Sequence, residues 1–147
     1  MEKLLDKQIV YQISEAFPQL KEPVQILFFG SRENCEYCAE TQQLLEEVTA
    51  TDDKVGLNTY DIQMDKETAD KFNVTKTPAI VIAAKDGAQL SDMGIQFSGV
   101  PSGHEFSTLI NDILMVSNRD SGLSPEVREF LKNVDKPLLL QVFVTPT

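Results

Sequence analysis

Cys35-Glu36-Tyr37-Cys38 constrains this chain more than any other feature, because of what flanks it. These are the only two cysteines in 147 residues. Val24-Gln25-Ile26-Leu27-Phe28-Phe29 runs up to the pair between Pro23 and Gly30, and reads as a buried strand. Residues 39–48 follow, and Cys38, Thr41, Leu45 and Val48 recur at helical spacing on one face. A strand, a short loop, a CxxC and a helix start form an arrangement that makes one thiol reactive. A thiolate attacks a disulfide and a thiol does not, and free cysteine, with a pKa of about 8.5, is mostly thiol at neutral pH. Unpaired N–H groups and the helix dipole at a helix N-terminus favour the anion. The spacing therefore predicts Cys35, at or just before the first turn, as the nucleophile. Cys38, one turn further in and more buried, is the expected resolving thiol.

Two cysteines this close make a poor structural staple, since the loop they close is too short to remove much unfolded-chain entropy. A closed zinc site needs four ligands, and the chain offers one further candidate, His104. His104 follows Gly103 at an expected helix start, where a capping or surface role fits it better than catalysis. Between the cysteines, Glu36 opposes thiolate formation. Glu33 and Glu40 have the same sign, and Arg32 partly offsets them. A mild Cys35 is expected rather than an extreme thiolate.

Composition excludes several classes. A net charge of −10 argues against nucleic acid and anionic membranes as partners. No apolar run approaches the roughly 20 residues of a membrane span, and the start, Met1-Glu2-Lys3-Leu4-Leu5-Asp6-Lys7, does not read as a signal peptide. The expected location is cytoplasmic. No metal or cofactor is expected.

Hydrophobic periodicity supplies the rest of the order. Leu5, Ile9, Ile13 and Phe17 mark a first helix that Pro18 stops. Residues 55–62 have strand character, weakened by Gly56 and Asn58, and 65–72 read as a short charged helix. Residues 79–83 are continuously apolar, as in a buried strand. Asp86-Gly87 is a hairpin signal, 93–98 read as a fourth strand, and 105–116 read as a helix with Phe106, Leu109, Ile110, Ile113 and Leu114 inside. The expected fold is α/β: a mixed four-stranded sheet flanked by helices, complete by about Asp120. Lys76-Thr77-Pro78-Ala79 enters the 79–83 strand. A proline at a strand's first position fits an ordinary trans turn. A cis bond would instead set Pro78 beside the sulfurs and leave the backbone of Thr77 open to a substrate segment. Thr77, Pro78, Glu36 and Tyr37 are the candidate substrate-binding residues.

The tail repeats the beginning. Residues 124–134 read as a helix with Ser124 as N-cap and Pro125 first. Lys136-Pro137 and an apolar run at 138–144 follow, as Lys21-Glu22-Pro23 and 24–29 follow the first helix. The expected division is a unit at 1–120 carrying the CxxC, and a helix and strand at 121–147 that are the truncated start of a second unit. That strand is a candidate route to a dimer.

With these residues in view the chain resembles the thioredoxin superfamily. More closely, it resembles the N-terminal unit of the glutaredoxin-like protein disulfide oxidoreductases, which carry two thioredoxin-like units in tandem. The resemblance rests on Cys35-Glu36-Tyr37-Cys38, on Thr77-Pro78, on Gly99-Val100-Pro101-Ser102-Gly103-His104-Glu105-Phe106 and on Val142-Phe143-Val144-Thr145-Pro146-Thr147. It implies dithiol–disulfide exchange with protein or small disulfides, Pro78 in cis, and a thioredoxin-reductase-like electron donor. Thioredoxins keep a buried acid on the strand before the motif, where 24–29 hold no ionisable residue. Glu36 or a water would then serve as the base. The competing expectation is a catalytically weak thioredoxin-like scaffold or peptide-interaction module supporting a second, active unit.

Overall fold

Strand β1 (Val24–Gly30) is buried along its whole length, as an apolar run in a sheet covered on both faces must be. It is the second strand of a four-stranded mixed sheet in a computed structural model that describes residues 2–145. Met1, and Pro146 and Thr147 of the closing 142–147 stretch, lie outside the described residues.

Helix α1 (Lys7–Ala16) precedes the sheet. The Asp6 side chain caps it by accepting the Ile9 N–H at 2.8 Å, and Pro18 ends it in a tight turn at Phe17–Gln19. After β1 come α2 (Cys38–Thr49), β2 (Val55–Asp61), α3 (Lys66–Lys71), β3 (Ala79–Asp86), β4 (Gln89–Ser98), α4 (His104–Asn118) and α5 (Pro125–Leu131). The sheet order is β2-β1-β3-β4. Strands β1 and β2 are parallel, joined through α2 as a βαβ unit, while β3 is antiparallel to both β1 and β4. The β3–β4 hairpin turns on Gly87 and Ala88, with Gly87 at φ +63°. Only glycine adopts that conformation without cost. A register shift between Val81 and Ala83 bends this hairpin, and β4 starts at Gln89, earlier than its apolar pattern indicates.

Two cores sandwich the sheet. On one face Val24, Ile26 and Phe28 of β1 and Ile80 and Ile82 of β3 pack against α1, α2 and α4. On the other, Leu27, Phe29, Val81 and Ala83 meet Ala69 of α3 with Phe72 and Val74 after it. Each fully buried Leu, Ile or Phe contributes about 1.5–3 kcal/mol, so β1 and β3 dominate the hydrophobic stabilisation. The Gln25 side chain on β1 is the polar exception. Its Nε2 donates to Asn58 Oδ1 at 3.0 Å, and its Oε1 has no partner. A Cβ at Gly56 would collide with that carboxamide. The glycine that weakens β2 in the sequence is thus the space Gln25 occupies.

Two long-range clasps hold α4. Buried Ser117 Oγ donates to Glu22 O at 2.7 Å and accepts from the Lys21 N–H at 2.9 Å. Arg119 donates to the carbonyls of Val116, Pro23 and Lys85.

The tail departs from expectation. Helix α5 forms with Ser124 as its cap, its hydroxyl accepting the Val127 N–H, but none of its residues is buried. Residues 138–144 form no strand. A strand is defined by its ladder partners, and the sheet edges β2 and β4 do not pair with this segment. Its apolar side chains are exposed, Phe143 at 89%. Among the described residues no helix is long and apolar enough to cross a membrane.

Candidate functional site

At the C-terminal end of β1 the chain turns through Ser31–Asn34 to the cysteines. Gly30 matters there for closeness. A Cβ on it would lie 3.1 Å from the Phe28 ring and 3.5 Å from Cys38 Sγ. The bare backbone lets the sulfur sit over the end of the central strand. Cys35 and Cys38 are joined in a disulfide, with their Cα atoms 5.5 Å apart. Cys35 is half-buried and packs beside the core, while Cys38 is buried at 9% exposure. Cys35 is therefore the more exposed residue of the pair, as expected.

Helix α2 begins at Cys38 itself, with Tyr37 as a cap that makes no side-chain bond. This corrects the expectation that Cys38 lies a turn inside the helix; Cys35 stands before it. The carbonyl of Tyr37, between the cysteines, accepts both the N–H of Thr41 at 3.0 Å and its hydroxyl at 2.7 Å. Thr41 is wholly buried. Its place on the inner face was legible from spacing, but its bond to the turn between the cysteines was not. Glu36 and Tyr37 are exposed, Tyr37 at 51%.

A residue that sequence reasoning missed organises the loop before the motif. Asp61, the last residue of β2, accepts the Arg32 N–H on Oδ2 at 3.2 Å, and the N–H groups of Gln63 and Met64 on Oδ1 at 2.9 and 3.1 Å. Ile62 N–H donates to Gly30 O at 2.9 Å, and Ser31 Oγ to Gln63 Oε1 at 3.1 Å. These bonds join the 30–33 loop to the turn after β2. They hold the Asp61 carboxyl below its ordinary pKa, the Met64 N–H foremost, with Gln63, Arg32 and the Arg32 charge adding to it. The available signal was an aspartate at a strand end before a turn.

The Thr77-Pro78 peptide bond is cis. Phe29 pairs with Ala79, so Pro78 sits at the same sheet end as Gly30. Pro78 is buried and its carbonyl accepts the Gly99 N–H at 2.9 Å. Thr77 is half-buried, and its backbone N–H and C=O make no hydrogen bond among the described residues. His104 is exposed at the start of α4 after Gly103. Next to it, burial pushes the Glu105 carboxyl up. Among the described residues no three His, Cys, Asp or Glu side chains gather as metal ligands. Two shallow depressions, of about 340 and 240 Å³, do not border the disulfide.

Comparison with known proteins agrees with this geometry. The family model for the thioredoxin domain matches residues 24–111. An alkyl hydroperoxide reductase subunit of Pseudomonas aeruginosa is 25% identical over 132 residues, 90% of this chain but 22% of that protein. The chain thus spans about a fifth of that relative's length. Among solved structures, the NTD_N/C domain of alkylhydroperoxide reductase AhpF from Enterococcus faecalis superposes with a TM-score of 0.75 at 26% identity, covering 85% of this chain and 58% of that one. A protein disulfide oxidoreductase from Aeropyrum pernix gives a TM-score of 0.76 at 23% identity, over 89% of this chain and 56% of its own, and shares the fold.

Proposed function

Since the chain belongs to the thioredoxin-domain family, we propose that it is a thiol–disulfide oxidoreductase unit that exchanges protein disulfides through Cys35 and Cys38. One observation carries the reading: a bonded cysteine pair at a helix start, with the first cysteine more exposed than the second. In the reduced state the Cys35 thiolate attacks a substrate disulfide and one substrate sulfur leaves. Cys38, losing its proton, then attacks Cys35 Sγ. The Cys35-Cys38 bond closes and the second substrate thiol is released. Two electrons pass to the substrate, and the two leaving thiolates take up the protons.

The free N–H and C=O of Thr77, at the sheet end that holds Gly30 and Cys38, support a role in pairing with an extended substrate segment. Pro78, Glu36 and exposed Tyr37 would border that segment. The alkyl hydroperoxide reductase relatives support a reductase-linked electron donor. The repeated order of helix, Lys-Pro and apolar segment, with Val127, Phe130 and residues 138–144 exposed, supports reading the tail as the opening of a second unit of this kind.

Insulin reduction driven by dithiothreitol tests the proposal. Wild type accelerates it, Cys35→Ser abolishes the acceleration, and Cys38→Ser accumulates a mixed disulfide on Cys35. Equal rates for wild type and Cys35→Ser would reject catalysis and leave the scaffold reading.

A further inference from the structure

Resting on the thiol–disulfide reading and extending it to what sets the balance of that exchange, we infer that Asp61 is a positioning residue for Cys35: it anchors the loop that presents Cys35 and so favours closure of the Cys35-Cys38 bond. Residues 31–34 lead from β1 to the disulfide and belong to neither strand nor helix. Among the described residues, every hydrogen bond they make beyond themselves runs to Asp61 or Gln63. Gly30, just before them, accepts the Ile62 N–H from the same turn.

Asp61 is the centre of that turn. Its Oδ1 accepts the Gln63 and Met64 N–H groups, which fixes where Gln63 stands, and its Oδ2 accepts the backbone N–H of Arg32 across in the loop. Within the loop, Ser31 Oγ accepts the Glu33 N–H at 3.1 Å and reaches out to Gln63 Oε1. Asn34 follows at φ +54°, a left-handed conformation that asparagine tolerates, and turns the chain into Cys35. Cys35 lies three residues beyond Arg32, at most about 11 Å away Cα to Cα. On the far side Cys38 opens α2, and Thr41 holds the Tyr37 carbonyl. The disulfide is thus held from two sides: Cys38 by a helix, Cys35 by a loop hydrogen-bonded to the end of β2. A loop released from Asp61 gains conformations that closure of the bond must take away again. The effective concentration of one sulfur at the other falls, and the dithiol gains on the disulfide.

Two variants of the full chain test this. Asp61→Asn keeps the shape but puts an NH2 group where one carboxylate oxygen accepts, so either the Arg32 N–H or the Gln63 and Met64 pair loses its acceptor. Ser31→Ala cuts the loop's side-chain link to Gln63 and changes no charge. Each protein is equilibrated at pH 7 with mixtures of reduced and oxidised dithiothreitol. Two electrons and two protons pass from dithiothreitol to the Cys35-Cys38 bond, and dithiothreitol closes to its cyclic disulfide. The dithiol fraction is counted by maleimide alkylation and mass spectrometry. Far-ultraviolet circular dichroism checks folding, and Asp61→Ser takes the place of Asp61→Asn if that variant unfolds. Both variants should shift the balance toward the dithiol by at least about threefold, against the roughly fivefold of one full net hydrogen bond. A smaller shift in either variant overturns the inference. A shift confined to the Asp61 variant marks its charge acting on the thiolates, and one confined to Ser31→Ala leaves Asp61 without a part. Insulin reduction by wild type, measured alongside, tests the parent reading separately: a failed shift with insulin turnover intact leaves that reading standing, and no turnover rejects both.

Discussion

Replacing Ser117 with alanine removes one oxygen that makes two hydrogen bonds, both to backbone groups 95 and 96 residues away in the chain. The site is fully buried. The Lys21 N–H loses its acceptor and the Glu22 carbonyl loses its donor. Stranding a buried polar group costs about 1–3 kcal/mol. Residues 21 and 22 are themselves exposed, so water reaches part of this backbone and the lower end of the range applies to each group. The expected loss is about 2–3 kcal/mol, a large share of the roughly 5–15 kcal/mol that holds a domain together. For a chain of this size that lowers Tm by roughly 5–10 °C. The chain has no tryptophan, so urea unfolding is best followed by far-ultraviolet circular dichroism. The midpoint should fall with the slope unchanged. Asn118→Ala, exposed on the same turn, serves as the control and should stay within about 0.5 kcal/mol. Turnover per folded molecule should not change, because the clasp lies before Val24 and the disulfide beyond Gly30, a strand length of about 20 Å apart. A loss under about 0.5 kcal/mol would refute the buried-clasp argument, and a parallel fall in turnover would refute the independence of the two ends.

Gly56→Ala should destabilise the chain by about 1–3 kcal/mol through collision with the Gln25 carboxamide. Adding Gln25→Ala should recover part of that loss in a double-mutant cycle; additive losses would contradict it. Thr41→Val removes the hydroxyl bond to Tyr37 O but leaves the N–H bond. A loss of about 0.5–1.5 kcal/mol is expected from thermal unfolding of the oxidised form. Burial pushes the carboxyls of Glu105 and Asp112 above the ordinary carboxylate range. Between unfolded and folded pKa the folded state holds more protons, so this contribution to stability falls as pH rises through that window and stays low above it. Glu105→Gln and Asp112→Asn should therefore stabilise the chain at pH 7, with the gain vanishing below about pH 4. A gain that grows on acidification would reverse the assignment.

Local pattern alone determined a good deal of this protein. The four-residue spacing of Ile9 and Ile13 marks α1, and the unbroken apolar runs mark β1 and β3, because burial on one or two faces leaves a short-range periodicity in the chain. Asp86-Gly87 marked the hairpin through backbone conformation. The cysteine pair between strand and helix marked the candidate site, and the structure places the bonded sulfurs at the end of the central strand. What the fold decided were matters of distant partners. Gly56 looks like a flaw in a strand until Gln25, on the neighbouring strand, is seen filling its space. Asp61 and Arg32 are 29 residues apart and meet only when β2 lies alongside β1. That meeting, of a backbone N–H with a carboxylate, is not revealed by the chain order. Residues 138–144 carry the apolar signature of a strand yet form none, since a ladder depends on a second strand and not on the segment's own composition. Sequence periodicity records which side of an element meets the core; hydrogen bonds and charge pairs between elements exist only once the chain has brought them together.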